Sequence, residues 1–177
     1  MKTFVVAGLL VLAGIWSARA NELKQFELNG RDVLTVSVSP LLRIRLDASV
    51  AGQPAQLILS DTNDICELRM RLARTDTKLT DDQIRSQLTE AGKKLMAAVV
   101  EKEIKIRKVG GNAFTYFYFE LTDSRPDPLK GSRHVMQGLG RSDSYVCEFV
   151  MLMHRKGSEA EDRILYSLRS IDIRAKK

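Results

Sequence analysis

His134 and His154 are the only histidines in the 177 residues, so a Ser-His-Asp hydrolase would have to take its general base from one of them. No Gly-x-Ser-x-Gly elbow accompanies either. Cys147 and His134 are the one thiol–imidazole combination to weigh, but burial of Cys147 in an apolar strand and its expected oxidation argue against a nucleophilic thiolate. Met151, Met153 and His154, with His134 and Met136, mix thioether and imidazole donors that suit copper. Strand alternation puts His154 opposite Met151 and Met153, and methionine on an apolar strand is normally core filler. The run Asp61-Thr62-Asn63-Asp64 lacks the glycine and distal glutamate of an EF-hand loop and reads as a turn. Asp81-Asp82 suits a helix N-terminus, where negative charge is favoured. No metal site and no cofactor is implied.

The pattern with the clearest binding chemistry is basic. Arg43 and Arg45, Arg69 and Arg71, and Lys105 and Arg107 are spaced by two, which puts each pair on one polar strand face. If those strands share a sheet with their polar sides aligned, about six cations gather on one face as a dock for an acidic partner, expected to be another protein, or for an anionic ligand. Asp47, Glu67 and Glu103 interleave with them, and long Arg stems also commonly lie over sheet surface with their heads in water. No Gly-rich phosphate loop or nucleic-acid-binding motif occurs, so nucleic acid is not an expected partner.

These residues belong to a chain whose start reads as an export signal. Lys2 precedes an apolar run from Phe4 to Trp16, and Ala18-Arg19-Ala20 supplies small residues at the −3 and −1 positions. The apolar core is about a dozen residues, short of the roughly 20 needed to span a bilayer. Cleavage after Ala20 would leave one domain over 21–177, periplasmic or secreted, with a net charge of about +4 after Lys2 and Arg19 are lost from the +6 of the whole chain. Asn21, not Cys, follows the cleavage point, so lipid anchoring is not expected. In an oxidising compartment Cys66 and Cys147 are expected to form a disulfide, provided the fold brings them within about 7 Å.

Alternation then lays out the elements. Strands are expected within 26–38, with Asn29-Gly30 as a turn, over Leu42 to Leu46, over Ala55 to Ser60 after a Gly52-Gln53-Pro54 turn, and over Cys66 to Leu72, together an antiparallel meander. Thr80-Asp81-Asp82-Gln83 has the form of a capping box, and Ile84, Leu88, Ala91, Leu95, Ala98 and Val99 continue one stripe, predicting a helix to about Val100. Ile104 and Ile106, the Gly110-Gly111-Asn112 turn and the aromatic run Phe114 to Leu121 predict a hairpin. A short strand near His134 to Leu139 is followed by a strand over Tyr145 to His154, apolar on both sides and so expected to be covered on both. Ser158-Glu159-Ala160-Glu161 predicts a second capping box, opening a helix with Ile164, Leu165, Leu168 and Ile171 on its apolar side. The fold class is α+β: a mostly antiparallel sheet packed against two main helices.

The order of the C-terminal part, from the Gly-Gly turn into Phe114-Thr115-Tyr116-Phe117-Tyr118-Phe119, through a Gly-containing segment and the strand at 145–154, to the helix ending Ser167-Leu168-Arg169-Ser170-Ile171, resembles the PsbP-like (DcrB-like) superfamily. That resemblance implies an α/β/α sandwich and accessory or partner-binding roles. The sequence reading is therefore an exported, non-enzymatic binding protein, possible types including an immunity-type inhibitor. The alternatives are a carrier for a small molecule or lipid in an apolar cleft, and a hydrolase built on His134 or His154.

Overall fold

The computed structural model describes residues 20–28, 30–47, 54–62, 66–125 and 132–176. The leader, apart from Ala20, and the turn expected at Gly52-Gln53-Pro54, apart from Pro54, lie outside the described residues.

Alternating apolar residues make the N-terminal half extended, but its strands divide between two sheets. β1 (Glu22–Leu28) and β2 (Asp32–Val38) form an antiparallel hairpin, and Gly30 takes a positive φ of 67° at its turn, a conformation that costs glycine little. Beyond Pro40 the chain enters a separate antiparallel ladder, β3 (Leu42–Asp47), β4 (Ala55–Asp61) and β5 (Cys66–Arg74). β6 (Arg107–Gly110), β7 (Thr115–Thr122), β8 (His134–Arg141) and β9 (Tyr145–Met153) complete a seven-stranded sheet of order β3-β4-β5-β9-β8-β7-β6. β10 (Asp172–Ala175), too short to stand out in the sequence, pairs with β2 in a three-stranded sheet.

Two helices pack on opposite faces of the large sheet, which is the α+β arrangement expected. Leu57, Leu68, Met70 and Phe149 face α2 (Glu159–Arg169), whose Ile164 and Leu168 enter the same core as Leu34, Val36 and Val38 of the small sheet. The alternate residues of β7, Phe117, Phe119 and Leu121, meet Ile84 and Leu88 of α1 (Asp81–Lys93). Close approach within the larger core depends on Gly138: a Cβ there would stand 2.3 Å from the Phe149 ring and 2.6 Å from the Phe117 carbonyl oxygen.

The Thr80 box opens α1 as expected, with both reciprocal hydrogen bonds made. The helix ends at Lys93 instead of Val100, and Met96–Ala98 form a 3₁₀ turn. Gly92 is the reason: Ile104 packs so closely that a Cβ at Gly92 would lie 2.7 Å from it, while Leu95 and Ala98, which a longer helix was expected to bury, are exposed. Ile104 and Ile106 accordingly pack beside α1 as loop residues, and the hairpin strand begins only at Arg107. Ser158 caps α2 by accepting the Glu161 N–H, but the Glu161 carboxylate accepts from the Gly157 N–H, so the second box is only half formed.

Candidate functional site

Register decides which of the predicted cations share a face. Reading across paired strands, Arg43 stands beside Ser60 and Glu67; Arg45 beside Ile58, Arg69, Val150 and Gln137; and Asp47 beside Gln56, Arg71, Glu148 and Leu139. Paired residues point to the same side of a sheet, so Arg43, Arg45, Arg69 and Arg71 occupy one face. It is the α1 face, and among the described residues α1 packs chiefly over β7 and β8. All four arginines are exposed, and so are Val150 (37%) and Leu152 (40%) of β9. The expectation that β9 is covered on both sides is thus corrected: β9 is central in strand order, but its second face is open because the 13-residue α1 is too short and too far over to reach it.

Lys105 and Arg107 do not join this set. Lys105 lies in the loop before β6 and pairs with Glu103 at 2.9 Å. Arg107 sits at the opposite edge of the sheet beside Tyr118, on the α2 side, and donates to Glu120 at 3.2 Å. The open face is therefore a charge mosaic. Arg69 donates to Glu67 at 2.6 Å and Arg45 lies 3.5 Å from Asp47, whereas Arg43 and Arg71 make no ion pair among the described residues. Where this face meets α1 a groove of about 410 Å³ opens, with Gln56, Gln87, Gln137, Arg71 and Glu148 around a floor that includes Leu88 and Ala91. The three glutamines were not anticipated: isolated amides carry no periodic signal, and only strand register and helix placement bring them together.

The expected Cys66–Cys147 disulfide is corrected. The two cysteines are not bonded to each other; both are buried on adjacent strands, but Cys66 faces Met153 and Cys147 faces Leu72. Six residues along the ladder correspond to about 20 Å, well beyond disulfide reach. Burial pushes the Cys147 thiol up to about 12, which removes it as a nucleophile at neutral pH. The Cys147–His134 pairing fails for the same geometric reason, because Cys147 faces Gly140 while His134 faces Met153 at the far end of β8. Met136, Met151 and Met153 are fully buried core residues, and no group of three or more His, Cys, Asp or Glu side chains suited to a metal occurs among the described residues.

His134 instead ends a hydrogen-bonded chain. Glu101 accepts from the Thr122 N–H at 2.7 Å and from the Thr122 hydroxyl at 2.8 Å, and Thr122 Oγ1 lies 3.1 Å from His134 Nδ1. Desolvation opposes ionisation of Glu101, but the bonds from Thr122 outweigh it and hold the carboxyl below its ordinary value. With its one hydroxyl proton given to a carboxylate, Thr122 is left to accept from an Nδ1–H of the ring. Among the described residues no serine or cysteine is hydrogen-bonded to His134; the hydroxyl it meets is that of Thr122, whose proton is directed at Glu101. His134 borders a mainly apolar hollow of about 210 Å³ lined also by Leu95, Val99, Val135 and Leu152.

No family model and no curated protein matches this chain. None of the helices among the described residues is long and apolar enough to cross a membrane.

Proposed function

We propose that this is an exported, non-enzymatic binding protein that docks an acidic protein partner on the open half of its large sheet. The observation that carries the reading is the placement of Arg43, Arg45, Arg69 and Arg71 on one exposed face around apolar Val150 and Leu152. Arginine around exposed aliphatic area is the composition of an interface, with apolar atoms excluding water and guanidiniums reading carboxylates in their planar fork. Arg43 and Arg71, without carboxylates of their own among the described residues, are the cations a partner gains most by satisfying. The leader-like residues 2–20 and the PsbP-like order of the C-terminal part support an accessory role outside the cytoplasm.

The test is capture of a partner from a periplasmic extract, its purification, and titration against wild type and an Arg43→Glu, Arg45→Glu, Arg71→Glu variant. The reading expects a stoichiometric complex that weakens with salt and at least tenfold with charge reversal, at unchanged melting temperature. Equal affinity of the two proteins for the purified partner would overturn it. The 210 Å³ hollow beside His134 supports a second reading, a carrier of a small apolar molecule; native mass spectrometry of protein from its own source tests it through a co-purifying mass.

A further inference from the structure

We infer that the groove between α1 and the sheet holds an extended peptide segment of the partner, with an acidic side chain set on Arg71; the inference rests on the docking role proposed above.

Three features of the groove point to a peptide main chain. Gln56 on β4, Gln137 on β8 and Gln87 on α1 surround it, and none of their amides is hydrogen-bonded to protein among the described residues. A carboxamide offers a donor and an acceptor in one plane, which is what a peptide group offers in return. From β4 through β5 and β9 to β8 is three inter-strand spacings, about 14 Å, the length of about four extended residues. Glutamines near the two ends and one on the helical wall would then engage separate peptide groups spaced along such a segment.

The floor and the charges narrow the occupant. Val150 is 37% exposed and Ala91 half-buried, giving an aliphatic surface for a side chain that points inward. Phe149, the only aromatic residue lining the groove among the described residues, packs its ring against Tyr116 in the core on the α2 side, so no aromatic ring is offered to the face of a sugar. Arg71 and Glu148 stand directly across from each other without forming an ion pair. Arg71 is thus open to a carboxylate, and Glu148 sets a penalty on one placed a strand further along.

The experiment uses a random hexapeptide pool displayed on phage, followed by fluorescence anisotropy with the enriched peptide. Enrichment of sequences with one Asp or Glu is expected, with affinity at least tenfold weaker in Gln56→Ala, Gln137→Ala. Arg71→Glu should abolish binding, and replacing the peptide's acid by Lys should restore it, a rescue that a misfolded variant cannot give. No enrichment, binding indifferent to the groove substitutions, or binding of a glycan array in place of peptides would each overturn the inference. Arg43→Glu, Arg45→Glu, outside the groove, separates the two ideas. If that variant loses the purified partner while no peptide binds wild type, the docking face stands and the peptide groove falls. If peptides bind as expected while the charge-reversed face keeps full partner affinity, the docking reading fails on its own.

Discussion

Across the β5–β9 ladder Cys147 is partnered by Leu72, six residues along the strand from Cys66. The chain therefore carries two buried thiols and no bond between them. Native protein alkylated after denaturation, with and without prior reduction, should give the same intact mass with two labels. A difference of two labels would show a disulfide and a different register.

Burial also makes Cys147 a source of pH dependence. Its folded value is pushed from 9.0 to about 12, chiefly by desolvation, so the fold prefers the neutral thiol. The resulting stabilisation is complete below about pH 9 and is lost as pH rises through 12, by up to about 1.4 kcal/mol per unit. Tyr145, raised by burial and by its bond to Asp32 to about 12, adds a loss of the same sign that starts only above 10. Urea titrations from pH 8 to 10 should thus show a decline that is smaller in Cys147→Ala, whatever its effect on stability at neutral pH.

Gly138 is set by its neighbours across the ladder. Alanine there brings a Cβ into both a flexible side chain, Phe149, and an immovable group, the Phe117 carbonyl. A loss of about 1–3 kcal/mol is expected from overpacking. Adding Phe149→Leu should restore only part of it, because the backbone contact persists; full restoration would mean that the ring alone sets the limit.

How far the fold could be read from sequence follows from where the deciding contacts lie. The hairpin at Gly30, the α1 cap at Thr80 and the aromatic strand β7 are specified by residues close in the chain, and alternation or capping patterns expose them. The end of α1 is decided by Ile104 packing on Gly92, and β10 exists because β2 offers an edge, contacts with little local signature. The arginine face shows the same division. Parity correctly aligned Arg43 with Arg45 and Arg69 with Arg71, but strand order and register placed these pairs together and sent Arg107 to the other edge.

Glu101, Thr122 and His134 give a spectroscopic prediction. Nitrogen-15 shifts at pH 8 should identify the Nδ1–H tautomer of His134, since Thr122 has given its own proton to Glu101. Thr122→Val removes the acceptor and should shift the ring toward the Nε2–H form. A wild-type ring already in that form would reverse the donor order in the chain.

Asp81 ties the start of α1 to two strands. Its Oδ2 accepts from Lys108 on β6 at 2.6 Å, and its Oδ1 accepts from Arg141 on β8, which also donates to the Leu79 carbonyl. The Lys108 hydrogen bond, with Coulomb attraction from Lys108 and Arg141, outweighs desolvation and lowers the carboxyl below 3.8. A depressed acid stabilises the fold above its unfolded value and loses that contribution as pH falls through the folded one. Asp81→Asn should therefore be less stable than wild type at pH 7, and the two denaturation curves should converge below pH 3.8. Glu22, Glu90 and Glu101, also lowered, keep their slopes in both proteins, so the difference between the curves isolates Asp81. A gap that stays constant to pH 2 would assign the loss to packing or to the altered helix start instead of to the charge, because a neutral amide keeps the shape of the carboxyl but not its attraction for Lys108 and Arg141.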